Sequence, residues 1–417
     1  MTPETVAERI VELVDTHDAW RGRCLNMIPA ENTLSRNARR LLDSGLAIRL
    51  TEGFPGDKEF PPSRHNVQID EIEAILIALV RKLFRARHVE WRPINTTMAN
   101  TVAYAAMTDP GDTMLVQSMD GGGNMNYHPH AIPRILRLET VDLPATRTFE
   151  IDPEAVRPLA IRHRPRVIVV GGGYALFPYP LRALRAIADE VGARIFFDAA
   201  HLSLLIATGH FQDPLAEGAD IMGLSTQKVL GGPVGGMALT NDDELARRML
   251  GYTFPVMLQT RDLNKYAAQA HAMAEMVAHG ARYADQMIKN AKALGRALEA
   301  EGFTVIGSDR GYTETHQVVL DLVAVGAEPF ETACQAANIL VHKGRIMGDG
   351  ARGFRTGARL TVQELTRQGM GEPEMVTVAA LIRRAALDRE PPERVAREVL
   401  DLVQPFQTVR FSFDQAT

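Results

Sequence analysis

Between residues 112 and 225, short apolar segments alternate with segments whose spacing is typical of helices. The apolar segments are DTMLVQSM (112–119), RILRLETVDL (134–143), RVIVVGGG (166–173), ARIFFDAAH (193–201) and DIMGLS (220–225). The intervening segment YPLRALRAIADEVG (179–192) has helical spacing and ends at Gly192, a residue type that often terminates helices. Strands that are apolar along their whole length must be covered on both faces. The alternation therefore predicts an α/β fold in which a mostly parallel sheet lies between layers of helices.

The order of these patterns along the 417 residues divides the chain into three parts. We predict an N-terminal arm and helix over residues 1–60, and a large domain over residues 61–285 that begins with the helical segment 67–86. A long helical stretch, residues 270–302, follows the sheet region and reads as one helix or two. Beyond it the pattern changes to shorter strands and helices, which predicts a small C-terminal α+β domain over residues 286–417.

The composition excludes several classes of partner. A net charge of −5 gives no basic surface for nucleic acid. No apolar run approaches the ~20 residues that span a bilayer, so we expect no membrane association. The N-terminal segment contains acidic residues and lacks the apolar core of a signal peptide. With only Cys24 and Cys334, the chain is typical of a cytoplasmic protein without disulfides, and we expect no metal site.

Polar side chains cluster where the predicted strands end. Asp198 and His201 follow the strand ARIFF, and Ser225, Thr226 and Lys228 follow the strand DIMGL. Two further polar segments, DGGGNMNYHPH (120–130) and INTTMAN (94–100), stand at another strand end and at a helix start. Because the ligands of open α/β sheets bind at the carboxyl ends of the strands, we expect these groups to line one cleft.

Asp198 and Lys228 together meet the requirements of pyridoxal phosphate. The lysine amine would form a Schiff base with the aldehyde, and the carboxylate would keep the pyridinium nitrogen protonated so that the ring acts as an electron sink. The helix start at Asn95 offers N–H groups and hydroxyls for the phosphate. Other interpretations stay open from the residues alone. Asp198 could cap a helix, His201 could be a hydrogen-bonded histidine of the interior, and the glycines after Lys228 could form a simple turn.

Several segments match, in order and spacing, the landmark segments of one enzyme family. They are MIPAEN (27–32), TEGFPG (51–56), MTDPGDTML (107–115), AIADEVGARIFFDAAH (186–201), STQKVLGGPVGG (225–236) and TGARLTVQELTRQGM (356–370). Through them the chain resembles serine hydroxymethyltransferase and its relatives, which are fold-type I pyridoxal phosphate enzymes, from about residue 25 to residue 370. The resemblance implies a large domain with a mostly parallel seven-stranded sheet, a smaller C-terminal domain, and a homodimer, or a dimer of dimers, with shared active sites.

The resemblance also implies a role for each matching residue. Lys228 would be the Schiff-base lysine, Asp198 the partner of the pyridinium nitrogen, and His201 a neighbour of the cofactor's phenolic oxygen. Arg359 would bind the substrate carboxylate, and Glu52, contributed by the partner subunit, would handle a proton near the substrate. The remaining contacts would be Asn95, Thr96, Thr97, Asn124, Ser225, Thr226 and Gly235 with the cofactor, and Tyr174 with the substrate.

The sequence departs from the family pattern mainly around the substrate. A serine of the pattern is Ala30 here, and two tyrosines are Leu50 and Phe60. The histidine that stacks on the cofactor ring falls on Asn124, although Tyr127 or His128 could serve after a local shift. The other changes are Gln227 for a histidine, Val234 for an arginine, and the shorter segment KGRIMGDGARG (343–353) for one that helps to hold folate. We therefore expect a divergent member, similar to α-methylserine hydroxymethyltransferases, threonine aldolases or threonine transaldolases.

Together these features predict a pyridoxal phosphate enzyme that makes or breaks the Cα–Cβ bond of a β-hydroxy amino acid by hydroxymethyl or hydroxyalkyl transfer. Its partner would be a small-molecule amino-acid substrate, and the retained Glu52 leaves tetrahydrofolate open as a second cofactor. The altered folate segment favours an alternative, which is a folate-independent aldolase, transaldolase or racemase on the same core. A non-catalytic protein on this fold is a third hypothesis, which the presence of Asp198, Lys228 and Arg359 opposes.

Overall fold

The structure is a computed structural model, and it describes residues 2–60, 64 and 66–414. Its strands are β1 Leu25–Asn26, β2 Glu52–Phe54, β3 Asp57–Phe60, β4 His88–Glu90, β5 Thr113–Gln117, β6 Glu139–Leu143, β7 Val167–Gly171, β8 Arg194–Asp198, β9 Ile221–Ser225, β10 Gly236–Thr240, β11 Thr304–Val305, β12 Gln317–Asp321, β13 Ile339–Leu340, β14 His342–Gly344 and β15 Gly357–Thr361. Its α-helices are α1 Pro3–Arg21, α2 Arg36–Leu42, α3 Val67–Phe84, α4 Thr96–Met107, α5 Ile132–Leu136, α6 Pro153–His163, α7 Leu181–Val191, α8 Ser203–Ala207, α9 Asp243–Gly251, α10 Leu263–Ala300, α11 Ala327–Ala336, α12 Asp349–Arg352, α13 Gln363–Gln368, α14 Glu372–Ala386 and α15 Pro392–Val403. Within the described ranges, none of these helices has both the length and the apolar character that crossing a membrane requires.

A seven-stranded sheet forms the centre of the larger part of the chain, with the strand order β4-β10-β9-β8-β7-β5-β6. Neighbouring strands from β9 to β6 run parallel, whereas β10 is antiparallel to both β9 and β4. Every residue of β7 and β9 is buried, as expected for strands that are covered on both faces. The predicted α/β fold with a mostly parallel seven-stranded sheet is confirmed.

Alternate residues of the strands face two different layers of helices. In β7, Val167 and Val169 pack in the core that α4 and α9 complete, whereas Ile168 and Val170 pack in the core that α7 and α10 complete. Phe196 of β8 faces the α4 layer. Because side chains two residues apart in a strand share a face, Asp198 also points towards the α4 layer.

Two predicted elements differ in extent from the observed ones. The predicted strand at 134–143 is a strand only over β6, because the residues before it form helix α5. Pro133 lies in the first turn of that helix, and Arg137, with a φ of 57°, ends it in the left-handed conformation. The long helical stretch is a single helix, α10, of 38 residues.

The C-terminal part contains an antiparallel four-stranded sheet with the order β11-β12-β15-β14. Helix α10 packs against both α3 of the larger part and α14 of the C-terminal part. The predicted boundary at residue 285 lies within α10, so the division of the chain into domains stays a prediction. The N-terminal segment is joined to the C-terminal part, because β1 pairs in parallel with β13 through Leu25 and Ile339.

Candidate active site

Three candidate residues lie at the carboxyl ends of β8 and β9. Asp198 is the last residue of β8 and pairs with Gly223 of the parallel strand β9. His201 lies in the turn after β8, Lys228 lies in the turn after β9, and Nε2 of His201 is 3.1 Å from Nζ of Lys228. The structure therefore brings Asp198, His201 and Lys228 to one edge of the sheet, while their roles stay predictions.

The Asp198 carboxylate is buried and is held by two donors. Its Oδ1 accepts a hydrogen bond from the backbone N–H of Ala200 at 3.0 Å, which is the capping interaction that the sequence left open. Its Oδ2 accepts a bond from Nδ2 of Asn100 at 3.4 Å. Burial raises the pKa of Asp198 above its ordinary value, and the positive charge of Lys228 opposes that rise. A cationic group beside this carboxylate would therefore be strongly favoured.

The Lys228 amine is buried beside a neutral imidazole. Burial lowers the pKa of Lys228 to about 8, although the charge of Asp198 acts in the opposite direction. Burial, and then the charge of Lys228, hold the pKa of His201 well below its usual range. The backbone carbonyl of Lys228 accepts a hydrogen bond from Nδ2 of Asn32 at 2.7 Å, so the segment MIPAEN supports the lysine turn. A lysine in this setting has a substantial neutral, nucleophilic fraction near neutral pH.

The start of α4 lies beside the glycine-rich turn that follows Lys228. The Asn95 side chain caps the helix by accepting a bond from the N–H of Met98 at 2.9 Å. As at any helix start, the N–H groups of the first turn lack intrahelical acceptors, and they can bind an anion. A Cβ at Gly236 would lie 2.7 Å from the nitrogen of Thr96 and would overlap the Asn95 carbonyl. Gly236 is therefore needed for this close approach.

Several other predicted cofactor contacts are engaged with the protein itself. The Ser225 hydroxyl donates to Oε1 of Gln227 at 2.8 Å, and the Thr226 hydroxyl donates to the Pro233 carbonyl at 2.6 Å. A Cβ at Gly235 would lie 2.8 Å from Oγ1 of Thr226 and would overlap the Gln269 amide. Ser225, Thr226 and Gly235 are thus packed in and beside the turn that carries Lys228, and their contacts with a cofactor stay predictions.

All three ring-stacking candidates make contacts within the protein. Tyr127 is fully buried and donates from Oη to the Gly171 carbonyl at the end of β7, at 2.7 Å. His128 lies 3.4 Å from the Asp142 carboxylate. Asn124 caps a short turn, and its Cβ would lie 3.4 Å from a Cβ built on Gly172, just beyond the end of β7. Oδ1 of Asn124 accepts a hydrogen bond from the N–H of Asn126 at 2.9 Å, so the stacking role of Asn124 stays a prediction.

Arg359 reaches the site from the four-stranded sheet. It lies on β15, it is buried, and its Nη1 donates a hydrogen bond to the Gly173 carbonyl in the loop after β7. Its guanidinium carbon is 4.7 Å from the centre of the Tyr174 ring. Arg359 and Tyr174, both predicted substrate contacts, are therefore in direct contact.

Glu52 has a different position. It lies on β2, in a hairpin with β3, and it is partly buried. Among the residues that the structure describes, no hydrogen bond or ion pair links it to Lys228, His201 or Arg359. Within one subunit, Glu52 therefore makes no polar contact with these three candidates among the described residues.

Three residues near the site were missed by sequence reasoning. Asn100 contacts Asp198, and its place in the predicted segment INTTMAN could have identified it. His342 pairs across the sheet with Arg359. His316 precedes β12 and is fully buried, and burial, with the charges of Arg359 and Lys228, lowers its pKa to about 3. In the sequence, His316 stands directly before an apolar strand, and that position could have identified it as a candidate.

Several buried polar atoms in this region have no hydrogen-bond partner within the described residues. They are Nδ1 of His201, Oδ1 of Asn100, Oη of Tyr174, Nε of Arg359 and both ring nitrogens of His316. Buried polar atoms rarely stay unpaired in a folded protein, so their concentration here marks the place of a polar ligand. A buried amine, a buried carboxylate and a helix start are the groups that pyridoxal phosphate requires. The residues present therefore fit this cofactor.

A sequence model of the family described as serine hydroxymethyltransferase matches residues 4–382. The chain belongs to the serine hydroxymethyltransferase family. One curated relative, the serine hydroxymethyltransferase of Pyrococcus abyssi, is 36% identical over 416 residues, which cover 98% of this chain and 97% of the relative. That of Methanocella arvoryzae is 36% identical over 410 residues, which cover 97% and 96% of the two chains.

The fold is shared with a solved structure, the L-threonine transaldolase from Pseudomonas fluorescens in its internal aldimine state. The TM-score is 0.90, and the match covers 99% of this chain and 94% of that chain at 24% sequence identity. The predicted fold-type I architecture is confirmed by this similarity. Membership of the serine hydroxymethyltransferase family also confirms the prediction of a pyridoxal phosphate-dependent transferase or lyase that acts on the Cα–Cβ bond of hydroxy amino acids.

We expect Gly236→Ala to weaken the binding of pyridoxal phosphate to this family member about tenfold or more, because overpacking a dense site costs roughly 1–3 kcal/mol. The added methyl group would push the start of α4 away from the turn. Titration of the cofactor-free variant, followed by visible absorbance, measures the effect. Gly251→Ala is the matched control, because its Cβ would meet nothing within 4 Å. Equal affinities of the two variants would show that the close approach does not matter for the cofactor.

Proposed function

We propose that this family member transfers a hydroxymethyl or other hydroxyalkyl group at the α-carbon of an amino acid, with pyridoxal phosphate held at Lys228. The observation that supports it most strongly is the buried amine of Lys228, 3.1 Å from Nε2 of His201 at the strand end that carries Asp198. When bound, pyridoxal phosphate supplies an electron sink that stabilises negative charge at the α-carbon. The residues of the chain would hold the reactants, orient them and move protons.

Lys228 and Asp198 would bind the cofactor through its aldehyde and its ring nitrogen. The lowered pKa of Lys228 supports the first role, since it leaves part of the amine neutral. The N–H of Ala200 and the amide of Asn100 support the second role, because both stabilise the ionised carboxylate of Asp198. The phosphate would bind at the helix start formed by Asn95, Thr96 and Thr97, and the remaining cofactor contacts would be Asn124, Ser225, Thr226 and Gly235.

Arg359 would orient the amino acid through its carboxylate. Its Nη1 is fixed on the Gly173 carbonyl, whereas its buried Nε has no partner in the described part of the chain. A guanidinium held in this way presents its remaining N–H groups as a planar fork, which matches the two oxygens of a carboxylate. A carboxylate held in one orientation fixes the rotation of the α-carbon and so decides which of its bonds breaks.

His201 would orient the Lys228 amine, and Glu52 would move a proton. His201 lies 3.1 Å from the Lys228 amine, and its low pKa supports a neutral imidazole whose Nε2 can accept a hydrogen bond from that amine and so orient it. Glu52 would act from the partner subunit of a homodimer with shared sites. Exposed apolar side chains around the β2–β3 hairpin, namely Ile48, Leu50 and Phe60, support such a dimer, because a second copy would cover them. Two buried cysteines without a disulfide support a cytoplasmic location.

A folate-independent transaldolase or aldolase reaction is the second candidate. The segment 343–353, which replaces one that helps to hold folate in the family, forms the end of β14 and the short helix α12. The phenol of Tyr174 fills the space beside Gly344 in this segment. Leu50 and Phe60 also lack the hydroxyls of the tyrosines that they replace. We therefore propose that tetrahydrofolate, where it is used, binds more weakly than the resemblance implies.

The proposed function is tested by a spectral screen of the holoenzyme with single amino acids, followed by turnover with and without tetrahydrofolate. We expect one or a few amino acids to produce a new long-wavelength absorbance band as a group leaves the α-carbon. Turnover that requires tetrahydrofolate would support hydroxymethyl transfer. Full turnover without it, with exchange of one aldehyde for another, would support a transaldolase. A spectrum that no amino acid changes would contradict both reactions.

A further inference from the structure

We propose that Tyr174 binds the amino-acid carboxylate together with Arg359, and that residue 344 must be glycine because the Tyr174 phenol occupies the space of its side chain. This inference rests on the proposed function, because it assumes that an amino acid enters beside Arg359. It extends that function by naming the two residues that bind the carboxylate of the substrate.

The Tyr174 side chain is held firmly in the loop after β7. Its ring packs against the Phe149 ring, with centroids 4.8 Å apart. Its backbone N–H donates to the Gly122 carbonyl, and its own carbonyl accepts a bond from Oη of Tyr179, both at 3.0 Å. A Cβ at Gly122 would lie 2.9 Å from Cβ of Tyr174, so the Gly122 turn approaches this loop closely. The phenol is therefore fixed in one direction.

Tyr174 and Arg359, which contact each other, each have one unpaired donor atom. The guanidinium carbon lies 4.7 Å from the ring centre, which is a cation–π distance. Oη of Tyr174 and Nε of Arg359 are both buried without a partner in the described part of the chain. A buried donor left unpaired is costly, and one carboxylate, with two oxygens and a negative charge, would satisfy both.

The carboxylate whose charge acts on Tyr174 is already engaged within the protein. Asp349 is the acidic residue whose charge influences the pKa of Tyr174. Its side chain accepts bonds from the N–H groups of Ile346 and Thr356, at 3.0 and 2.8 Å, and from the Thr356 hydroxyl. Asp349 therefore does not supply the acceptor for Tyr174 and Arg359, whereas the amino acid of the proposed function brings a carboxylate.

Gly344 makes room for this arrangement. It lies on β14, where His342 pairs with Arg359 and Gly344 pairs with Gly357, so Gly344 and Arg359 belong to the same face of the four-stranded sheet. A Cβ at Gly344 would overlap Oη of Tyr174 and would lie 2.9 Å from Cζ. Because Gly344 lies in a regular strand, backbone conformation alone does not demand a glycine there. The phenol of Tyr174 occupies the space that a side chain at position 344 would need.

The test is a titration of the holoenzyme with glycine and with methylamine, followed by the visible absorbance of the cofactor. Glycine carries the carboxylate and methylamine lacks it. We expect Tyr174→Phe to weaken glycine binding about tenfold, the effect of one hydrogen bond to a charged group, and to leave methylamine binding unchanged. The control is Tyr312→Phe, which removes the hydroxyl of a partly buried tyrosine that donates to Glu299 at 2.6 Å. It should leave both titrations unchanged.

A second variant tests the role of Gly344. We expect Gly344→Ala to weaken glycine binding by about tenfold or more, because the new methyl group displaces the phenol. In the Tyr174→Phe background the same change should have a smaller effect than in the parent enzyme, because the oxygen of closest approach is absent and only Cζ, 2.9 Å away, remains. Glycine titrations of Tyr174→Phe and the parent enzyme that overlay, or equal weakening of glycine and methylamine, would overturn the proposal. A parent enzyme that responds to methylamine but to no amino acid would instead contradict the proposed function.

Discussion

Replacement of Lys228 by alanine is expected to reduce turnover by at least about a thousandfold, because the amine that lies 3.1 Å from His201 is lost. Borohydride reduction of the parent holoenzyme, followed by peptide mapping, should place the cofactor on Lys228. The alanine variant should take up no label at this position. The cofactor is expected on Lys228 because burial lowers the pKa of this amine to about 8 and so keeps part of it neutral.

Lys265→Ala is the control for this experiment, because Lys265 is partly exposed and pairs with Asp262 at 2.6 Å. Lys265→Ala should retain normal turnover and labelling.

The pKa of Lys228 also predicts the pH dependence of cofactor capture by the cofactor-free enzyme. Below about pH 8 the neutral fraction of the amine falls about tenfold per pH unit, so the capture rate should rise with pH and level off above 8. A label on another lysine, or a capture rate that is flat between pH 6 and 8, would contradict the role of Lys228.

The second large effect is expected for Asp198→Asn, which should keep the cofactor and lose about a hundredfold or more in turnover. Lys228 and the start of α4 remain to hold the cofactor, but an amide carries no negative charge to keep the ring nitrogen protonated. A hundredfold loss corresponds to about 2.7 kcal/mol of barrier. Cofactor content from absorbance and turnover with the best amino acid of the screen measure the two properties separately.

Asp243→Asn is the matched control, since Asp243 is exposed and pairs with Arg87 at 2.7 Å on the surface. It should match the parent enzyme in both measurements. Near-normal turnover of Asp198→Asn would mean that Asp198 serves mainly to accept the hydrogen bond from the N–H of Ala200. Loss of the cofactor from this variant would show instead that the carboxylate is needed for binding.

The sequence was sufficient to predict the central sheet and the meeting of Asp198, His201 and Lys228. The strands are apolar throughout, and parallel neighbours end at the same edge, so residues that follow two adjacent strands must be close. The start of α4 was predictable for a similar reason, because Asn95 is a strong helix cap. These inferences depend on local patterns and on one general rule of topology.

Contacts that depend on packing between distant elements could not be predicted. Asn100 meets Asp198 only because α4 lies on the face of the sheet to which Asp198 points. His316 and His342 reach the site through the register of the four-stranded sheet, which no local pattern specifies. The hydroxyls of Ser225 and Thr226 looked free in the sequence, yet they donate to neighbouring protein groups.

The position of β14 at the edge of the four-stranded sheet affects how such a site can change during evolution. An edge strand is hydrogen-bonded on one side only, here to β15, so the segment that follows it can change in length without breaking a second ladder. The residues proposed to bind the cofactor lie mostly on the other sheet and its helices. Mutations that alter the segment 343–353 at positions other than Gly344 can therefore accumulate while the cofactor stays bound. During evolution, the substrate can therefore change through the four-stranded sheet while the seven-stranded sheet retains the cofactor and its chemistry.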